Sequence, residues 1–87
     1  MNKLHKAYVK VVERDMICVK CGLQGVDCHH VRGRLIRKDL ECETDNIVLL
    51  CRSCHNKAHT KQFQEWFEEM YPDRWERIKG NEVYNRG

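Results

Sequence analysis

Long apolar runs are missing from this 87-residue chain. No stretch approaches the roughly 18 residues that a membrane span requires, so no membrane partner is expected. The opening segment Met1-Asn2-Lys3-Leu4-His5-Lys6 lacks the apolar h-region of a secretory signal. The expectation is a soluble, cytoplasmic protein, in a compartment where thiols stay reduced and paired cysteines serve as metal ligands rather than disulfides. There is no internal repeat and no low-complexity segment. A strong charge imbalance is also absent: sixteen Lys and Arg face thirteen Asp and Glu, for a net charge of +3. That balance permits nucleic-acid binding without demanding it. Above all, the chain is too short to be comfortably stable on packing alone. A single domain of this size, residues 1–87, needs a staple.

Six cysteines are the first candidates for that staple. Cys18-Val19-Lys20-Cys21 and Cys51-Arg52-Ser53-Cys54 are two C-x-x-C pairs, each able to present two thiolates from one tight turn. Facing each other, they make a tetrahedral Cys₄ cage suited to one structural Zn²⁺, whose binding energy would supply much of the folding free energy. The gap between the pairs is 29 residues, longer than the ~15–20 of a simple ribbon pattern, so the insertion must form structure of its own. Cys28 and Cys42 read as small buried apolar residues without a metal role. Cys51-Arg52-Ser53-Cys54-His55 also matches the C-x-x-C-H haem-attachment pattern, but haem would leave the other pair unexplained.

Leu4, Ala7, Tyr8 and Val11 have the i, i+3, i+4, i+7 spacing of an amphipathic helix, expected over residues 3–14. Met16–Val19 and Val26–Val31 have strand character, as does the apolar run Ile47-Val48-Leu49-Leu50. Residues 32–46 read as a long charged loop. A helix should begin near Ser53, a good N-cap. Phe63, Trp66, Phe67 and Met70 predict a further helix over about 60–71, ended or kinked by Pro72. Asp73 could cap a short last helix to about Lys79, and residues 80–87 read as a tail. The Phe63–Met70 stripe is expected to pack against the Leu4–Val11 face. A homodimer contact is the other reading, because Trp66, Tyr71, Trp75 and Ile78 are more than one thin core need hide.

Histidine carries the chemistry. His29 and His30 are adjacent on an expected strand, so their side chains point to opposite faces. His55 and His59 are four apart on an expected helix, hence on one face, where H-x-x-x-H makes a divalent-metal clamp. One strand histidine can complete that site, and an imidazole near neutrality can take a proton from water.

The run Cys18-x-x-Cys21, His29-His30, Asn46, Leu50-Cys51-x-x-Cys54-His55-x-x-x-His59 resembles the HNH endonucleases over about residues 14–60. The resemblance implies an α+β fold: a small zinc-stapled ββα-metal core, flanked here by the N-terminal helix and by C-terminal helices over about 60–79. It implies that His30 is the general base, that Asn46 braces the loop between the strands and so orients it, and that His29, His55 and His59 hold a catalytic divalent ion. That ion would be Mg²⁺, Mn²⁺, Ni²⁺ or Zn²⁺. The implied activity is hydrolysis of phosphodiester bonds in double-stranded DNA, by nicking or double-strand cleavage, leaving 5′-phosphate and 3′-hydroxyl ends. No separate DNA-reading domain is evident, so weak sequence specificity is expected. Arg32, Arg34, Arg37, Lys38, Lys57 and Lys61 could hold the phosphate backbone, although a solvated charged loop would also account for the first four. Free-standing domains of this kind resemble phage or mobile-element nucleases, which places the expected location in a bacterial cell or a phage-infected host. The competing class is a non-catalytic Cys₄ zinc module that binds DNA or a partner protein. It has no use for His29, His30, Asn46, His55 and His59 together. A nuclease of branched DNA or of RNA would use the same site.

Overall fold

The computed structural model describes residues 2–80. Of the tail expected over 80–87, all but Gly80 lies outside the described residues. Helix α1 runs over Lys3–Asp15, its first turn closed by Asn2, whose Oδ1 accepts from the His5 amide at 2.8 Å. It ends at Met16, whose φ of +68° is a left-handed conformation that stops a helix. Strand β1 (Asp27–His30) pairs antiparallel with β2 (Ile47–Leu50), in the register Asp27↔Leu50, Cys28↔Leu49, His29↔Val48 and His30↔Ile47. Three helices follow: α2 (Arg52–Asn56), α3 (Lys61–Met70) and α4 (Pro72–Lys79). The molecule is thus a small α+β domain with one two-stranded antiparallel sheet.

Strand β2 is buried along its whole length, which is why its four residues are all apolar. Alternation sends Val48 and Leu50 to one face and Ile47 and Leu49 to the other. The first pair joins Cys18, Leu40, Phe63, Phe67, Trp75 and Ile78 in the main core. The second pair packs with Ala7 and Val11 of α1 in a smaller core, against which Cys28 and Cys42 are partly buried. The two leftover cysteines are thus half-buried rather than buried as expected, and Cys28 also borders the cleft beside β1. The expected contact between the Phe63–Met70 stripe and α1 is not made: the sheet lies between them. The aromatic surplus is also absorbed within one chain. Trp75 and Ile78 are buried, Trp66 and Tyr71 pack against them, and Arg74 lies 4.5 Å from the Tyr71 ring. That removes the argument from surplus aromatics for a dimer.

Residues 16–19 are not a strand. The Leu49 amide they would need is taken by the Asp15 carboxylate at 3.0 Å, and only Val19 bonds β2, through the Leu49 carbonyl at 3.0 Å. The segment instead turns to present its cysteines. Gly25 follows against the Leu49 side chain: a Cβ there would sit 2.4 Å from the Leu49 Cγ.

The loop joining the strands is held from inside. Asn46, with no exposed surface, accepts from the Arg32 amide at 2.7 Å and donates to the Arg32 and Leu40 carbonyls at 3.1 and 3.4 Å. Two short 3-10 turns, Lys38–Leu40 and Thr44–Asn46, occupy the span expected to be plain loop. Arg32 and Arg37 fold inward and reach the end of α4. Arg32 bonds the Lys79 carbonyl at 3.3 Å and lies 5.5 Å from the Trp75 ring; Arg37 bonds the Ile78 carbonyl at 3.1 Å and pairs with Asp39 at 2.9 Å. Cations at a helix C-terminus meet its unpaired carbonyls and its negative dipole end. These two arginines hold α4 in place and are not free for a phosphate backbone.

Helix α4 begins with Pro72 in its first turn, and Asp73 makes no capping bond. Helix α2 is capped by the Cys51 sulfur, which accepts from the Cys54 amide at 3.4 Å, and not by Ser53.

Replacing Asn46 by Ala orphans one buried N–H and two carbonyls and leaves a void. The expected cost is about 2–4 kcal/mol, read as a lower urea midpoint of the metal-loaded protein at unchanged slope. An unchanged midpoint would show that the loop does not depend on this side chain.

Candidate metal centre and histidine cleft

Cys18 and Cys21 sit on a knuckle in which the Gly22 amide bonds the Cys18 carbonyl at 2.9 Å and the Cys18 amide bonds the Leu23 carbonyl at 2.8 Å. Gly22 has φ +81°, which suits glycine. Cys51 and Cys54 sit at the start of α2. The four Sγ atoms lie within 4.8 Å of one another, with Cys21 and Cys51 3.6 Å apart. Sulfurs around a tetrahedral zinc at ~2.3 Å stand about 3.8 Å apart, so the donor set fits such an ion. Burial alone would push the Cys18 thiol up, but the backbone N–H groups of Cys21, Cys51 and Lys20 outweigh it and bring it down to about 6. Cys54 goes the other way: burial and its three neighbouring sulfurs push it up to about 12. A thiolate is thus favoured at Cys18, while burial and the neighbouring sulfurs oppose ionisation at Cys54. Four thiolates this close require a cation among them, and a structural metal such as zinc answers that need.

The second cluster is made of imidazoles. His29, His55 and His59 have donor nitrogens within 4.8 Å of one another. Their ring centroids form a near-equilateral triangle, 5.2, 5.1 and 5.5 Å apart. The strand alternation sends His29 to the main-core face, where it also meets Phe63 at 5.2 Å. Burial, and then the like charges of His55, His59 and His30, depress its pKa to about 4. At neutral pH it is unprotonated and could serve as a metal ligand. His55 lies in α2, directly after Cys54. Its Nδ1 meets the Asp27 carboxylate at 3.1 Å, and Asp27 is held in turn by Arg52 at 2.7 Å. This is the carboxylate–histidine arrangement that fixes a ligand's tautomer and aims its other nitrogen. His59 is not on the helix of His55 as expected. Helix α2 ends at Asn56, and His59 comes from the link to α3, which turns back far enough to close the triangle.

His30 stands apart from the triangle. It points to the α1 face, 6.0 Å from the Tyr8 ring, with Nε2 2.8 Å from the Glu41 carbonyl oxygen. A carbonyl can only accept, so Nε2 carries the proton and Nδ1 keeps its lone pair. Burial lowers the His30 pKa, partly offset by the Glu41 carbonyl. The ring is therefore a neutral acceptor at pH 7.

Both histidine sets open on one cleft of about 560 Å³, lined by His29, His30, His55 and His59 together with Tyr8, Arg34 and Lys61. Of the six cations read from the sequence, Arg34 and Lys61 line this cleft. Arg34 is half-exposed and paired with Glu41 at 2.6 Å. Lys38 is exposed on the neighbouring loop, and Lys57 borders a separate depression beside Cys21 and Cys54. Asp27, Arg52 and Tyr8 escaped the sequence reading. The alternation Asp27-x-His29 was the available signal for Asp27. Nothing local points to Tyr8, which reads as one more apolar helix position.

Comparison with protein-family profiles, with curated proteins and with solved structures finds no match to this chain. The functional reading therefore rests on the residues of the two clusters.

Removal of metal by a strong chelator, or Cys51→Ser, should abolish a one-per-chain zinc content and melt the helical circular dichroism, because both clusters hang from α2. Retention of the full signal in metal-free protein would show that packing alone suffices. Asp27→Asn should keep the fold and the zinc. It should weaken Co²⁺ binding at the imidazole triad about 10–100-fold, seen in the visible d–d band. Unchanged Co²⁺ affinity would mean that Asp27 does not orient His55.

Proposed function

We propose that this chain is a metal-dependent DNA endonuclease of the HNH kind, with β1, β2 and α2 as its ββα-metal core. The single observation that carries the reading is the division of labour in the cleft: three imidazoles converge as a ligand set, while a fourth, neutral imidazole stands beside them with a free acceptor nitrogen. A plain zinc-binding module would have the cysteine cage and no use for this second arrangement.

A divalent cation held by His29, His55 and His59 would supply Lewis-acid charge where the phosphoryl oxygen and the leaving 3′-oxygen become negative. The remaining work falls to the chain itself. His30 takes the proton of the attacking water on Nδ1, since Nε2–H is engaged by the Glu41 carbonyl. Asn46 holds both ends of the loop that carries Glu41, and so fixes the ring's orientation. Arg34 and Lys61 attract the phosphate at the mouth of the cleft. The products carry 5′-phosphate and 3′-hydroxyl ends. Backbone contacts of this kind do not read sequence, so cleavage of double-stranded DNA is weakly specific, whether as nicks or as double-strand breaks.

The test uses zinc-loaded protein stripped of loosely held metal and incubated with supercoiled plasmid, with Mg²⁺, Mn²⁺, Ni²⁺ and Zn²⁺ added separately. At least one ion should restore nicking. His30→Ala should fold, bind that ion and nick roughly 10²–10⁴-fold more slowly. If no ion yields cleavage of plasmid, single-stranded or branched DNA, or RNA, the chain is instead a non-catalytic Cys₄ module that binds DNA or a partner protein.

A further inference from the structure

The loop after β1 carries a feature that the cleavage chemistry does not use. Leu35 and Ile36 are 91 % and 73 % exposed, although the sequence around them, Arg32 to Lys38, is otherwise charged or glycine. They are not the tip of a slack loop. The amides of Ile36 and Arg37 both bond the Gly33 carbonyl, at 3.2 and 2.8 Å, which closes a tight turn with the two apolar side chains at its apex. The flanks of that turn are pinned inside the domain, Arg32 by Asn46 and Arg37 by the end of α4. The apex is thus a fixed apolar projection.

Its surroundings adjoin the histidine cleft and carry two exposed cations, Arg34, which pairs with Glu41 at 2.6 Å, and Lys38. Arg34 lines the cleft and also borders the depression formed with Leu35, Lys38 and Glu41. A phosphate backbone drawn to Arg34 and Lys38 would bring its bases against Leu35 and Ile36. Leu and Ile are among the side chains that enter a base step from the minor groove and part its stack.

We propose that Leu35 and Ile36 form a wedge that inserts into a base step of duplex DNA next to the cleaved phosphate and kinks the duplex there. This inference rests on the nuclease reading for its substrate, but it concerns binding and can fail separately. Pyrimidine–purine steps unstack most readily, so the wedge gives an otherwise unspecific site a preference for TA and CA steps. An anionic membrane is the other partner that a basic, apolar tip could suit. The continuity with a cleft of catalytic type favours DNA.

The probe is a duplex oligonucleotide carrying 2-aminopurine at a central TA step, mixed with zinc-loaded protein without added ion. Binding should raise 2-aminopurine fluorescence. Leu35→Ala/Ile36→Ala, which removes two solvent-exposed side chains and leaves the fold intact, should lose the rise while still binding the duplex at low salt. With the activating ion, that variant should cut the intact duplex at least about tenfold more slowly than the parent, because the step must then unstack without the wedge. On a duplex already opened by a mismatch at the step, it should cut at the parent's rate. Equal fluorescence for parent and variant, or equal loss on intact and mismatched duplex, overturns the wedge and leaves the nuclease reading standing. A fluorescence rise that depends on Leu35 and Ile36 in a protein that cuts nothing supports the wedge and removes the nuclease reading. Binding to phosphatidylserine vesicles but not to duplex, lost in the same variant, overturns the wedge in favour of a membrane contact.

Discussion

Four thiols meet where the knuckle before β1 comes up against the start of α2, and the remainder of the domain depends on that meeting. Cys51 shows why most directly. It closes a residue run buried on both faces, caps α2 through its sulfur, and belongs to the cage. The next sulfur, Cys54, is followed at once by His55. Electrostatics make the arrangement conditional. One thiol of the set is pulled down to about 6 and another pushed up to about 12, so the sulfurs cannot all ionise without a cation. A metal ion held there would relieve this repulsion and fix where α2 starts, and therefore where His55 stands.

From that fixed end, the sheet distributes the chemistry. A two-stranded sheet has two faces, and the adjacent pair His29 and His30 places one imidazole on each. His29 goes to the α3 side, where burial keeps it neutral. His30 goes to the α1 side, where the Glu41 carbonyl selects its tautomer. The two nevertheless border one cleft, because β1 has no other strand beside it among the described residues. Two imidazoles in different surroundings are thus held close together and kept distinct. A wider sheet would have hidden that edge.

The loop between the strands does more than connect them. Asn46 binds its two ends together, and Arg32 and Arg37 tie it to the last turn of α4. Helix α4 in turn reaches back through Arg77 to Asp45 at 2.7 Å. Charges that look from the sequence like a basic binding surface are thereby divided. Two are built into the domain, and Arg34 and Lys38 remain near the apolar apex formed by Leu35 and Ile36.

The sequence by itself determined the staple, the helices and the two clusters' membership. Paired C-x-x-C spacing has few physical solutions, the period of 3.6 residues marks α1 and α3, and Ile47–Leu50 is too apolar to be anything but buried. Adjacent histidines on a strand must diverge, so the split between His29 and His30 was legible as well. What only the tertiary structure decided are matters of long-range placement. Residues 16–19 have strand character, yet the partner amide they need on Leu49 goes to Asp15. His59 reads as a helical partner of His55, yet the helix stops at Asn56 and the ring arrives from the following link. Arg32 and Arg37 look exposed until the carbonyls of α4, more than forty residues away, take them. Asp27 gains its role only because β1 lies beside α2. In each case the local pattern states what a residue prefers. Which competing partner it gets depends on the distances that the cage and the sheet impose.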